Sequence, residues 1–178
     1  MLFRSALLLA DLNGIERAGH VRDKLSWLVG YAETLRALVE ASATRFRRHA
    51  NGTAVPDPLT VNIAKMHFAT NYHAAVARLQ DIAGGTLATA PSGADLEIPE
   101  VGDWVRRSML GRVGTDAVER LRALNLAADL TASDFGGYQE VLAIHAEGSI
   151  EAQKLTILRQ YDAGAARAYA RDLAGIES

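Results

Sequence analysis

Six apolar residues, Val21, Leu25, Leu28, Ala32, Leu35 and Val39, recur at alternating steps of four and three. A stripe with a mean spacing of about 3.5 residues runs down one side of an α-helix. It must be covered by another helix, as in a bundle or coiled-coil seam. Traced back through Leu8, Leu12 and Ile15, the pattern predicts one helix of about 40 residues, on the order of 60 Å long. Gly14, Gly19 and Gly30 each cost a helix about 1 kcal/mol relative to alanine. A bend or a close crossing is therefore expected near Asn13-Gly14 or Gly19. The helix is expected to end near His49-Ala50-Asn51-Gly52, where Asn and Gly offer left-handed caps.

Asp57-Pro58 opens a second helix, with proline in its first turn. It runs through Ile63, Met66, Ala69, Ala77 and Ile82 and stops at Gly84-Gly85. Residues 86–96 read as an ordered loop that still has Leu87 and Leu96 to bury. Pro99 begins a short helix carrying Val101, Trp104, Val105 and Met109. Thr115 reads as the cap of a helix with Val118, Leu121, Leu124 and Ala128. Ser133-Asp134 starts another, through Tyr138, Val141 and Ile144 to His145. Ser149 caps the last, which carries Leu155, Leu158, Tyr161, Ala165 and Tyr169 and ends near Gly175. No hairpin turn between alternating strands is read, and no internal repeat is visible. The fold class expected is all-α: one helical-bundle domain over residues 1–178, its long first helix antiparallel to the second.

Composition narrows the function. Of the 178 residues, 49% are hydrophobic and 22% charged, which excludes disorder. The net charge of −2 comes from 19 basic and 21 acidic residues without a long run of either sign. No nucleic-acid partner is expected from that balance. With no cysteine, the chain has no disulfide framework, thiol nucleophile, thiolate zinc site or Cys-held iron–sulfur cluster. No apolar run is long enough for a membrane helix or a signal peptide, so no membrane partner and a cytoplasmic location are expected. His67 and His73, six apart, lie about 240° apart around a helix and do not face one metal. His20 has Lys24 one turn on. No metal is expected within the chain.

Two turns stand out. Gln80-Asp81-Ile82-Ala83-Gly84-Gly85-Thr86 reads first as a helix C-cap, Gly84 or Gly85 supplying the positive φ. Two glycines and a threonine also free successive N–H groups to cradle a phosphate. His145-Ala146-Glu147-Gly148-Ser149 reads first as the cap of the last helix. The same helix N-terminus attracts anions, with Gln153 one turn in.

In order along the chain, these segments resemble the C-terminal part of the 4-hydroxyphenylacetate 3-monooxygenase / 4-hydroxybutyryl-CoA dehydratase family. The resemblance rests on His20-Val21-Arg22-Asp23-Lys24-Leu25, Gln80-Asp81-Ile82-Ala83-Gly84-Gly85, Pro91-Ser92 with Asp95-Leu96, Asp129-Leu130-Thr131-Ala132-Ser133, Gly136-Gly137, His145 to Ser149, and Gln153. It runs from about Ala6 to Ile176. It implies a fold like the C-terminal bundle of acyl-CoA dehydrogenases, in a protein that also has an N-terminal helical domain and a β domain, and assembles as a homo-oligomer, a dimer or tetramer. It implies that Gln80, Gly84, Gly85 and Thr86 contact the adenosine and pyrophosphate of FAD. His145, Gly148, Ser149 and Gln153 are implied to lie near the flavin and substrate.

The activity implied is aromatic hydroxylation, in which reduced FAD supplied by a flavin reductase activates O₂ toward a phenol. The chain would be the FAD-contacting and oligomerisation domain, inactive alone; no catalytic residue is assigned within it. Dehydration of a hydroxyacyl-CoA is the alternative within the resemblance. In that branch a glutamate stands three residues before the histidine and the turn reads H-G-x-G-S; here Leu142 and Ala146 occupy those places. A helical interaction module without chemistry is the reading outside it.

Overall fold

The backbone turns left-handed at Gly14 (φ +68°), and this one residue divides the long helix expected from the stripe. In the computed structural model, which describes residues 1–176, α1 covers Leu2–Leu12 and α2 covers Gly19–Thr44. The expected bend is a full break, and residues 111–112 explain it. Arg112 N–H donates to the Leu12 carbonyl at 2.9 Å, and the Arg112 guanidinium pairs with Asp11 at 2.9 Å. A Cβ on Gly111 would stand 2.1 Å from the Leu12 oxygen. The Leu12 carbonyl is thus satisfied by a crossing segment, while those of Leu9, Ala10 and Asp11 accept from the N–H groups of Asn13, Ile15 and Gly14.

A two-residue ribbon follows, β1 (Arg47–Arg48) pairing antiparallel with β2 (Ala54–Val55). It corrects the expectation of no hairpin and ends α2 five residues before His49. Its tip contains Asn51-Gly52, the sequence read as a helix cap. Gly52 has φ +84°, and the Asn51 side chain accepts from Thr53 N–H at 3.0 Å. Next come α3 (Pro58–Ala83), α4 (Thr86–Thr89), a 3₁₀ turn at Gly93–Glu97 and α5 (Pro99–Ser108). The expected loop at 86–96 is mostly short helical turns, with Leu87 buried and a Ser92–Asp95 capping box. Then follow α6 (Ala117–Thr131), α7 (Asp134–Ala146), α8 (Ile150–Gln160) and α9 (Ala163–Leu173). The cap of α6 is Asp116, not Thr115: its Oδ1 accepts from Val118 N–H at 2.6 Å and Glu119 N–H at 3.2 Å. The last helix is interrupted at Tyr161, because Asp162 caps a new one by accepting from Ala165 N–H at 2.9 Å.

The chain forms two compact units. One comprises Met1–Glu33 and Asn71–Ile144; the other comprises Thr34–Thr70 and the residues from His145 on. The first unit holds the hydrophobic core, where Leu9, Leu28, Leu79, Leu121 and Leu124 are fully buried. There α1, α4 and α5 pack on α6. Lys24 on α2 pairs with Asp81 on α3 at 2.5 Å, and Arg78 lies 3.8 Å above the Trp27 ring. Position 24 meets 81 while 27 meets 78, so the two helices are antiparallel there, as expected.

The second unit is built differently. Asp57 caps α3, its Oδ2 accepting from Thr60 N–H at 3.0 Å and Thr60 Oγ1–H at 2.9 Å. Its own N–H donates to the Ser42 carbonyl at 3.0 Å. Among the described residues Ala69 is the unit's only buried hydrophobic.

Candidate functional site

The first turn grows out of the end of α3. Gln80 anchors it, its Nε2 donating to the Thr131 carbonyl at 2.8 Å. This ties α3 to the C-terminus of α6, and gives the Asp129–Ser133 stretch a positioning role that spacing alone did not reveal. Gly84 N–H closes on the Gln80 carbonyl at 2.9 Å with φ +72°, so Gly84 is the left-handed residue. Gly85 is right-handed, at φ −59° and ψ −24°. Among the described residues the N–H groups of Gly85 and Thr86 donate to no backbone carbonyl outside a helix. An added Cβ at either glycine meets nothing within 4 Å. The backbone is therefore open to an approaching group, with two successive donors available. Asp81, the nearest carboxylate in sequence, is paired with Lys24, which offsets its repulsion of an anion.

The second turn lies in the second unit. His145 lies in the last turn of α7 and is exposed. Gly148, at φ +77°, donates its N–H to the His145 carbonyl at 3.1 Å. Ser149 caps α8, its Oγ accepting from Ala152 N–H at 3.4 Å. Gln153 is 3% exposed; its Nε2 donates to the Glu147 carbonyl at 2.7 Å. That bond needs a donor, which fixes the amide orientation and leaves Oε1 buried without a partner. Lys154 is taken up by Glu151 at 2.6 Å. The eight expected contact residues thus form two local sets, Gln80 with Gly84–Thr86 and His145 with Gly148, Ser149 and Gln153.

Elsewhere His73 Nδ1 bonds Glu140. Burial, with the Glu140 charge second, pushes the neighbouring Tyr72 hydroxyl above its usual range. Among the described residues no group of three or more His, Cys, Asp or Glu is placed to hold a metal, and no helix is long and apolar enough to cross a membrane. A groove of about 330 Å³ opens in the second unit, walled by Leu35, Val39, Val61 and Phe68 with Lys65 and Glu147 on its lining. Its signal in the sequence was the second half of the apolar stripe.

The turns suit part of a dinucleotide. Donors at Gly85 and Thr86 match a phosphate, but neither turn carries the broad apolar wall that an isoalloxazine ring needs.

A family model described as 4-hydroxyphenylacetate 3-hydroxylase C terminal matches residues 1–175. The 4-hydroxybutyryl-CoA dehydratase/vinylacetyl-CoA-Δ-isomerase of Clostridium aminobutyricum is 32% identical over 97% of this chain and 37% of its own length. The oxygenase component of 4-hydroxyphenylacetate 3-monooxygenase from Geobacillus sp. is 31% identical over 75% of this chain and 27% of its own. Among solved structures, an oxygenase component of 4-hydroxyphenylacetate 3-monooxygenase complexed with FAD and 4-hydroxyphenylacetate superposes with a TM-score of 0.88 at 26% identity, over 97% of this chain and 36% of the other. An archaeal 4-hydroxybutyryl-CoA dehydratase from N. maritimus gives 0.86 at 30% identity over 99% and 35%. The chain thus spans about a third of the length of the relatives it matches.

Proposed function

The chain belongs to the 4-hydroxyphenylacetate 3-hydroxylase C-terminal family, and on that premise we propose that it is the FAD-contacting and oligomerisation part of a flavin-dependent aromatic hydroxylase. The observation that carries the reading is the turn after α3, where Gly84 is left-handed, the space beside Gly84 and Gly85 is open, and the N–H groups of Gly85 and Thr86 donate to no backbone carbonyl outside a helix. The likeness to an oxygenase structure that holds FAD supports the choice of ligand.

Gln80, Gly84, Gly85 and Thr86 would hold the pyrophosphate of an FAD; taken by itself, the turn from His145 to Ser149, with Gln153 behind it, would face a flavin. The flavin, when bound, supplies the redox chemistry. This chain's part is to orient it: Gln80 pins the turn to α6, and Gln153 pins the loop before α8 through the Glu147 carbonyl. The residues that position a phenol would lie in the part of the relatives that this match does not span, and a flavin reductase would deliver the reduced cofactor. A dehydratase-type flavoenzyme is the second reading, favoured by the long match to the Clostridium protein. Leu142 and Ala146, where the resemblance to that branch fails, place it second.

The experiment is a comparison of FAD and riboflavin binding to the chain. A pyrophosphate cradle predicts at least tenfold tighter binding of FAD, about 1.4 kcal/mol. Gly84→Val should remove the difference. Equal affinities for the two ligands would refute the cradle.

A further inference from the structure

We infer that the cavity between the end of α5 and the start of α6 binds a small organic carboxylate, its head on Arg106 and Thr115 and its apolar body on Leu110, Ala117 and Val118. The site lies wholly within the first unit and is independent of FAD.

Thr115 stands where the sequence pattern puts the cap of α6, but Asp116 does the capping, its Oδ1 accepting from Val118 N–H and Glu119 N–H. Thr115 is left only 7% exposed. Its N–H donates to the Arg112 carbonyl at 3.0 Å, and its hydroxyl has no partner among the described residues. A buried polar group that bonds to nothing is rare in folded proteins. This one lines a cavity of about 510 Å³, within the range of small-molecule sites. The turn beside it is open: Gly114 has φ +87°, and an added Cβ there meets nothing within 4 Å.

Arg106 lines the same cavity. One of its guanidinium N–H groups reaches the Leu96 carbonyl at 3.5 Å, and no carboxylate pairs with it among the described residues. Gly102, one helical turn earlier, leaves room for it: an added Cβ there would stand 2.9 Å from Arg106 Nη1. A guanidinium fork left largely unused takes a carboxylate through two parallel bonds. The N–H groups of Asp116 and Ala117 precede the first bonds of α6 and donate to no backbone carbonyl outside a helix. They add to the donor side of the site.

Charge and shape choose among anions. The lining carries one cation, Arg106, and one carboxylate, Asp116. A dianion such as phosphate would be repelled by Asp116, whereas a monoanion answers Arg106 without excess. Leu110, Ala117 and Val118 form an apolar wall, and Leu110 is 58% exposed. An apolar body covers that wall, which an inorganic ion cannot do.

Amide chemical shifts of the full chain titrated with benzoate test this, with benzamide and inorganic phosphate as companion probes. The expected result is saturable movement at Gly114, Thr115 and Ala117, with half-saturation below about 1 mM. Benzamide, of the same shape without the charge, and phosphate should each bind at least about tenfold more weakly. Arg106→Gln should weaken benzoate by about tenfold or more. Thr115→Val should weaken it by about fivefold, and Thr115→Ser should retain it. Should a variant fail to fold, the comparison of benzoate with benzamide on the unaltered chain decides. Benzoate that moves none of these amides, or moves only others, would overturn the inference. So would equal affinity for benzamide, tighter binding of phosphate, or a folded Arg106→Gln that binds benzoate unchanged.

Discussion

Gly111 sits where the chain crosses the end of α1, and a methyl group there would stand 2.1 Å from the Leu12 oxygen. Nothing flexible can yield, because the obstacle is backbone. Gly111→Ala should therefore destabilise the first unit by about 2–3 kcal/mol, read as a shifted urea midpoint with unchanged slope. Gly136 is similarly enclosed: an added Cβ would stand 2.8 Å from the Asp129 oxygen. Gly84 contrasts with both: it has open space but a positive φ, so Gly84→Ala should cost only about 1 kcal/mol of strain.

Asp57 gives a pH signature. Hydrogen bonds from Thr60, with help from Arg47 and Arg45, outweigh burial and hold its carboxyl below the ordinary 3.8. A group with a lowered folded value contributes stability above its unfolded value and loses it as pH falls through the folded one. Asp57→Ala should cost about 1–2 kcal/mol at neutral pH, and the gap from wild type should close below about pH 4. A gap unchanged down to pH 2 would leave the cap without an ionic part.

At the scale of elements, helices whose period continues were legible and breaks within a period were not. The limits of α3 follow from Asp57-Pro58 and Gly84-Gly85, and the structure agrees. The break between α1 and α2 does not follow from Gly14 alone, since an isolated glycine inside a helical pattern is usually tolerated; it needs Gly111 and Arg112, about a hundred residues away. Asn51-Gly52 was ambiguous in kind, since the same dipeptide caps a helix or turns a hairpin. The split of the last helix hinges on Asp162, which caps α9 from within the stretch expected to be one helix.

The site was legible as two punctuation marks. Which glycine turns left-handed, and that Gln80 and Gln153 are anchored to backbone carbonyls, required the fold. If α9 is held by association, its amides should exchange at near-intrinsic rates in dilute protein and slow as concentration rises. Protection independent of concentration would mean that α9 is stable on its own chain.

For the whole molecule, the uneven distribution of the core is the organising fact. One unit buries leucines from α1, α2, α3 and α6; the other ends in helices that bury almost nothing. That division leaves the apolar faces of α8 and α9 uncovered within this chain. The isolated chain is accordingly expected to hold FAD weakly, with a dissociation constant on the order of a millimolar, because two anchored turns recover only part of the cost of association.

Amide chemical shifts during an FAD titration of the chain test the central claim most directly. The account predicts saturable movement concentrated at Gly84, Gly85 and Thr86 and at Gly148 and Ser149, with inorganic pyrophosphate moving the first group. FAD that leaves both turns unmoved while shifting residues elsewhere, or that shifts nothing at millimolar concentration, would contradict it.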